Sequence, residues 1–259
     1  MSSKKKLLRR ATSIKLLPVE GLPEIRPGDD LAAKIAAVTR RGRVTFENGD
    51  VLVVAQKIVS KAEGRLTPLS DVVPSPRAVQ LAVRLKKDPR LIEVILGESR
   101  RIVRSDPVLI VETHHGLVCA NAGVDQSNIP GSDVVSLLPR DPDATARGLS
   151  TALRRITGKR VAVIISDTFG RPWRLGLTNV AIGAAGVPAL VDLRGTRDLH
   201  GKQLHATILA VADELAAAAG LLMSKDGGIP AVVVRGYRYR SVIDPAARII
   251  RPAGEDLFR

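Results

Sequence analysis

The sequence is short of cysteine, of aromatic residues and of long apolar runs, and each shortage closes off a class of protein. Cys119 is the only cysteine, which excludes an intrachain disulfide and a zinc cluster built on thiolates. Aromatic residues make up 2% of the chain, too few for the stacking platforms that hold single-stranded nucleic acid. No apolar run reaches the ~18 residues that a membrane helix needs. The charged N-terminus has no apolar stretch behind it, so a secretory leader is not expected, and the expected location is cytoplasmic. Several signatures are also missing: the G-x-x-x-x-G-K-[ST] phosphate loop, a G-x-G-x-x-G after a strand, and a G-x-S-x-G elbow. Cys119 sits inside an apolar strand-like segment, which argues against a nucleophile. His114, His115, His200 and His205 lack zinc-protease spacing, and a structural role is expected for the His114-His115 pair.

What is present points to an α+β protein. Hydrophobic residues are 45% and charged residues 25% of 259, and with few aromatics the core must come from Val, Leu, Ile and Ala. The net charge is +14, so an anionic partner has to be considered. Part of that excess is a basic arm over 1–13, carrying Lys4, Lys5, Lys6, Arg9 and Arg10 and expected to be disordered. Residues 14–259 are expected to form one domain. Strands are predicted over 14–19, 51–55, 107–112, 117–120, 161–166 and 229–234. Helices are predicted over 31–38, from Ser75-Pro76, over 91–96, from Asp141-Pro142-Asp143 to Gly158, and over 204–222.

Four segments carry candidate chemistry. Asn121-Ala122-Gly123-Val124-Asp125 with Asn128 follows a strand and offers oxygen ligands for a hard divalent cation; an Asx-type turn around Asp125 is the competing reading. The buried strand at 161–166 is expected to end at Asp167-Thr168, with a loop holding Arg171 and Arg174 after it. An aspartate there suits a cation beside phosphates, and arginine forks suit phosphate or carboxylate. Gln56, Lys57 and Lys61 follow the strand at 51–55, where the lysines could reach a polyphosphate or simply form a charged strand end. In Met223-Ser224-Lys225-Asp226-Gly227-Gly228-Ile229, adjacent glycines let backbone amides approach a ligand, or serve only as a turn.

These segments, in this order, resemble the coenzyme F420-0:L-glutamate ligase family, the gamma-glutamyl ligases. The likeness runs from about Leu16 to Gly236. It is carried by Leu17 through Pro23, Val59 through Gly64, Asn121 through Asp125 with Asn128, Asp167-Thr168 with Gly170-Arg171, Ala212-Asp213-Glu214, and Pro230 through Gly236. It implies a family-specific gamma-glutamyl ligase-like fold with mixed sheets and packed helices, assembled as an intertwined homodimer. It also implies a GTP-dependent ligase that activates the phospholactyl carboxylate of coenzyme F420-0 as an acyl phosphate for attack by the L-glutamate amine. Carried over by position, Glu20, Gly21, Leu22, Pro23, Gln56, Lys57, Lys61, Asn128 and the loop 223–229 would contact GTP. Asp125 and Asp167 would bind one Mn²⁺ or Mg²⁺, and Thr168 a second, with K⁺ as a further cation. Asp125, Asp167 and Lys61 are the expected catalytic residues, and Arg171 and Arg174 the expected substrate contacts. Where the family shows a glutamate ligand for the second metal, this sequence has Lys225 in a loop one residue shorter, so Asp226 substitutes or that ion is held differently. The rival readings are another nucleotide-dependent amide ligase and a basic nucleic-acid-binding module. For the latter, no helix-turn-helix, RRM or zinc pattern exists.

Overall fold

The apolar runs near 51, 162 and 231 become neighbouring strands with both faces covered, as continuous rather than alternating apolar sequence requires. The computed structural model describes residues 13–127, 131, 133–224 and 226–256. Most of the expected basic arm, Asn128 and Lys225 lie outside them. In chain order the strands are β1 (Lys15–Pro18), β2 (Val51–Ala55), β3 (Leu66–Pro68), β4 (Ser99–Ser105), β5 (Leu109–Thr113), β6 (Val118–Ala120), β7 (Val134–Ser136), β8 (Ala162–Arg171), β9 (Arg174–Ala185), β10 (Val191–Asp192), β11 (Ile208–Leu209) and β12 (Ala231–Arg235). The helices are α1 (Leu31–Arg41), α2 (Gln56–Ala62), α3 (Pro76–Leu85), α4 (Pro89–Gly97), α5 (Pro142–Thr157) and α6 (Val211–Gly220).

The central sheet has the order β1-β12-β2-β8-β9. Only β2 and β8 run parallel, with Val51 beside Ala162 and Ala55 beside Ser166. Because side chains alternate across a strand, Leu52, Val54, Val163 and Ile165 meet α1 and α5 on one face. Val51, Val53, Ala162 and Ile164 meet α6 on the other. The α6 contacts are mostly alanines, so the helix packs close to the sheet. A separate apolar cluster joins α3 and α4 to the β4-β5-β6 sheet and the β3-β7 pair, around Ile92, Ile95 and Leu109. The mixed α+β content matches expectation.

The helix starts follow the sequence signals. Asp30 accepts from Ala33 N at 2.9 Å, and Asp141 from Ala144 N at 2.8 Å, each satisfying an N–H that has no partner within the helix. Gly158, at φ 69°, ends α5. Two expectations need correction. The buried stretch of β8 ends at Ser166, but the strand does not stop at Asp167-Thr168; it continues to Arg171 and pairs along its length with β9. The loop expected to hold Arg171 and Arg174 is therefore the tip of a hairpin. The helix expected over 204–222 begins only at Val211, because Ile208 and Leu209 pair with Asp192 and Val191, a long-range contact that periodicity cannot reveal. Of the two readings open for Gln56, Lys57 and Lys61, the charged strand end is set aside, because residues 56–62 form helix α2 directly after β2.

Candidate functional site

The parallel strands β2 and β8 end side by side, and a cavity of about 630 Å³ opens beyond their carboxyl ends. Ligands in α/β sheets commonly bind at such an edge. Four stretches close around it: Leu22 to Ile25 after β1, Gln56 to Lys61 at the start of α2, Asp125, and the loop from Met223 that leads into β12. Ser166, Asp167 and Thr168 come from β8, and Asn179 reaches in from β9.

Asp125 is presented by strained backbone. Asn121, Ala122 and Gly123 all lie in the left-handed region, with φ of 54°, 55° and 69°. A Cβ on Gly123 would come within 2.7 Å of Leu138, so only glycine fits there. The Asx turn weighed from sequence is real: Ser127 N donates to Asp125 Oδ1 at 2.8 Å. The same carboxylate nevertheless faces the cavity. Lys57 Nζ donates to Asp125 Oδ2 at 2.7 Å, to Ser127 O at 2.6 Å and to Ser127 Oγ at 2.8 Å. Burial works to raise the Asp125 pKa, but Lys57 and the Ser127 bonds outweigh it, and the net shift is downward. Asp125 is thus ionised over the working pH range.

Asp167 behaves oppositely. Burial pushes its carboxyl up to about 6, with the Asp125 charge adding to the rise; Thr168 N, Lys57 and Gln56 oppose it. Next to it, the Ser166 hydroxyl is buried with no hydrogen-bond partner among the described residues, an orphan beside a carboxylate. A β-bulge between Ile165 and Ser166 shifts the β8–β9 register here, and bulges commonly re-aim side chains beside functional sites. Asp213 secures the bulge by accepting from Ala181 N at 2.8 Å. Lys61, 6% exposed, is paired with Glu24 at 2.5 Å.

Two carboxylates, a free hydroxyl, Thr168 and room for a ligand fit a hard divalent cation, since Mg²⁺ is usually held by one or two carboxylates plus substrate oxygens and water. Among the described residues no group of three His, Cys, Asp or Glu side chains forms a closed cage. The titration of Asp167 gives a direct test. Its folded pKa, about 6, lies above the ordinary aspartate value of 3.8, so its stabilising contribution is present at low pH and is lost as pH rises through that window. Cation binding has the opposite sign, because a ligand must be deprotonated. Mn²⁺ affinity, measured by calorimetry, should rise from about pH 5 to about pH 7; a flat profile would remove Asp167 from the ligand set.

Of the residues singled out from sequence, Leu22, Pro23, Gln56, Lys57, Lys61, Asp125, Asp167, Thr168, Met223, Ser224, Asp226, Gly228 and Ile229 line this cavity. Glu20, Gly21 and Gly227 adjoin it in sequence without lining it. Arg171 and Arg174 are not among the lining residues: Arg171 Nη2 donates to Leu175 O at 2.6 Å and holds the hairpin tip together. Sequence reasoning missed Glu24, Ser166 and Asn179. Glu24 and Asn179 arrive through pairings with Lys61 and Thr168 that leave no local signal. A polar residue closing an apolar strand could have flagged Ser166. Cys119, buried and pushed up to about 12, is no nucleophile. His114 and His115 bond the carbonyls of Gly97 and Pro139, as a structural role requires.

The fold and site define an α+β protein with a pocket lined by lysines and carboxylates at the carboxyl edge of its parallel strands. The chain belongs to the F420-0:gamma-glutamyl ligase family, whose model matches residues 21–236. It is 47% identical over 250 residues to the coenzyme F420:L-glutamate ligase of Methanothermobacter thermautotrophicus, covering 95% of this chain and 99% of that one. Similar proteins of the same name occur in Methanopyrus kandleri, 49% identical with 95% and 98% covered, and in Archaeoglobus fulgidus, 47% identical with 95% and 96% covered.

Proposed function

We propose that this chain is a GTP-dependent ligase that joins L-glutamate to the phospholactyl carboxylate of coenzyme F420-0. The observation that carries the reading is the meeting of Lys57, Lys61, Asp125 and Asp167 with Met223, Ser224, Asp226, Gly228 and Ile229 around one cavity, in a chain that spans nearly the full length of relatives named for this activity. The γ-phosphoryl group passes to the substrate carboxylate and GDP leaves. The deprotonated glutamate amine then attacks the acyl carbon, the C–N bond forms, and the C–O bond to phosphate breaks.

Lys57 and Lys61 are placed to meet triphosphate oxygens, exchanging their ion pairs with Asp125 and Glu24 for the ligand. Phosphoryl transfer depends mostly on positioning and charge neutralisation, and both lysines are pre-positioned by α2. Mn²⁺ or Mg²⁺ on Asp125, Asp167 and Thr168 would neutralise charge on the β and γ oxygens. K⁺ is an additional cation in this reading. Ser166 Oγ, lacking a partner among the described residues, is free to donate to bound ligand.

A homodimer is part of the same proposal. The β8–β9 hairpin carries Trp173, Leu175 and Leu177 at 86%, 98% and 62% exposure, an apolar tip suited to a second copy. In such an assembly Arg171 and Arg174 would serve the partner subunit's site as substrate contacts.

Incubation with F420-0, L-glutamate, GTP and Mn²⁺, followed by mass analysis, should yield a product heavier by one glutamyl unit, with GDP formed in equal amount. Turnover with ATP but not GTP would overturn the nucleotide assignment. GTP binding without any glutamylated product would overturn the substrate.

A further inference from the structure

A second cavity, about 900 Å³, lies at the other end of the central sheet, beside the first residues of β2 and β8 and the last of β12. Its walls gather Arg154, Arg160, Arg235 and Arg238. Among the described residues, only Arg235 of these four has an acidic partner. It bonds Asp50 at 2.8 and 2.9 Å and pairs with Glu47 at 2.6 Å, which consumes the two acidic residues of the cavity. The guanidinium groups of Arg154, Arg160 and Arg238 have no acceptor among the described residues. Like charges gathered on a concave surface without counter-ions repel one another and raise the local concentration of anions.

The walls are rigid. Asn48 Oδ1 accepts from Arg160 N at 2.8 Å, and Gly49 N donates to Arg160 O at 3.0 Å. Tyr237 and Tyr239 stack with ring centroids 5.9 Å apart and planes 15° from parallel. Gly236, just before them at φ 95°, leaves no space for a Cβ, which would stand 2.3 Å from Ser13 O. The arginines are therefore anchored at their backbones while their heads stay free.

We infer that this cavity is a second binding site, for a small multiply charged anion of the phosphate class, gripped by Arg154, Arg160 and Arg238 beside the tyrosine stack. The guanidinium fork presents parallel N–H groups that match phosphate oxygens in pairs. The site lies at the opposite strand ends from the first cavity and needs no divalent cation, so it stands independently of ligase activity.

Calorimetry of the full chain with inorganic pyrophosphate, without divalent metal, tests it. A binding event at this cavity is expected, separate from any at the lysines of the first cavity. The double variant Arg154→Gln/Arg160→Gln should weaken it at least ~10-fold, with Tm unchanged because both side chains are exposed. Lys57→Gln, in the first cavity, should change it less than ~2-fold. Unaltered binding in the double variant, or loss only in Lys57→Gln, would overturn the site. Equal affinity for citrate would show that charge alone is read and overturn the phosphate class. Binding of a duplex oligonucleotide ~100-fold tighter than pyrophosphate would make the cavity part of a polynucleotide surface and overturn the small-ligand assignment.

Discussion

Asp167→Asn should lower kcat for amide formation by ~10³-fold while leaving the protein as stable or more so at neutral pH. The loss follows from removing one of the two carboxylates that face the candidate cation site. Several kcal/mol of charge stabilisation in the transition state corresponds to about that factor. The stability gain follows from the raised Asp167 pKa, caused first by burial and then by Asp125. A carboxylate held above its unfolded pKa is a burden once ionised. Asparagine keeps the acceptor for Thr168 N, now at 2.8 Å, without the charge. A rise of about 1–2 kcal/mol, or a few degrees in Tm, is expected at pH 7. Steady-state kinetics and thermal melts read the two effects separately. Activity retained within ~10-fold would exclude Asp167 from the chemistry, and a large fall in Tm would make it a structural residue.

Gly183→Ala should cost about 3 kcal/mol of folding stability. Gly183 sits in β9 where the first turn of α5 crosses it, and an added Cβ would lie 2.4 Å from both the carbonyl carbon and oxygen of Pro142. Backbone on both sides cannot swing aside as a side chain would. The same crossing is bonded by Asp143, whose Oδ1 accepts from Ala184 N and Ala246 N at 2.8 Å. Pushing α5 away would therefore leave buried N–H groups unpaired. Urea unfolding should show a lower midpoint at unchanged slope. A loss below ~0.5 kcal/mol would mean that the helix start slides freely over the strand.

Legibility from sequence tracked how local each cause was. The apolar strands at 51–55 and 231–234 and the α5 start at Asp141-Pro142 were readable because burial and capping are written within a few neighbouring residues. Asp125 and Asp167 were readable as oxygen donors, and the cavity does bring them together. The extent of β8 past Asp167 was not readable. Its exposed half is Thr168-Phe169-Gly170-Arg171, a stretch with a glycine and no apolar run, which is a strand only because β9 pairs with it. The late start of α6 has the same origin in the β10–β11 pairing. Glu24 could not be foreseen because its partner Lys61 is 37 residues away. The cationic cavity at the other end of the sheet draws its arginines from α5, the turn before β8, the end of β12 and the segment after it, which no local sequence spacing brings together.

The strand order β1-β12-β2 has a consequence for how the molecule comes into being. β1 and β2 are made early, yet neither pairs with the other; β12 must insert between them. On a ribosome the first strand therefore waits for β12, and the central sheet cannot close until residues 231–235 have been made. Pairings of such long sequence separation form slowly. The loop bearing Met223, Asp226 and Gly228 leads directly into β12, so the cavity wall and the keystone strand arrive together. A nascent chain has no site to occupy, and ligand can first stabilise the protein only after the fold has closed.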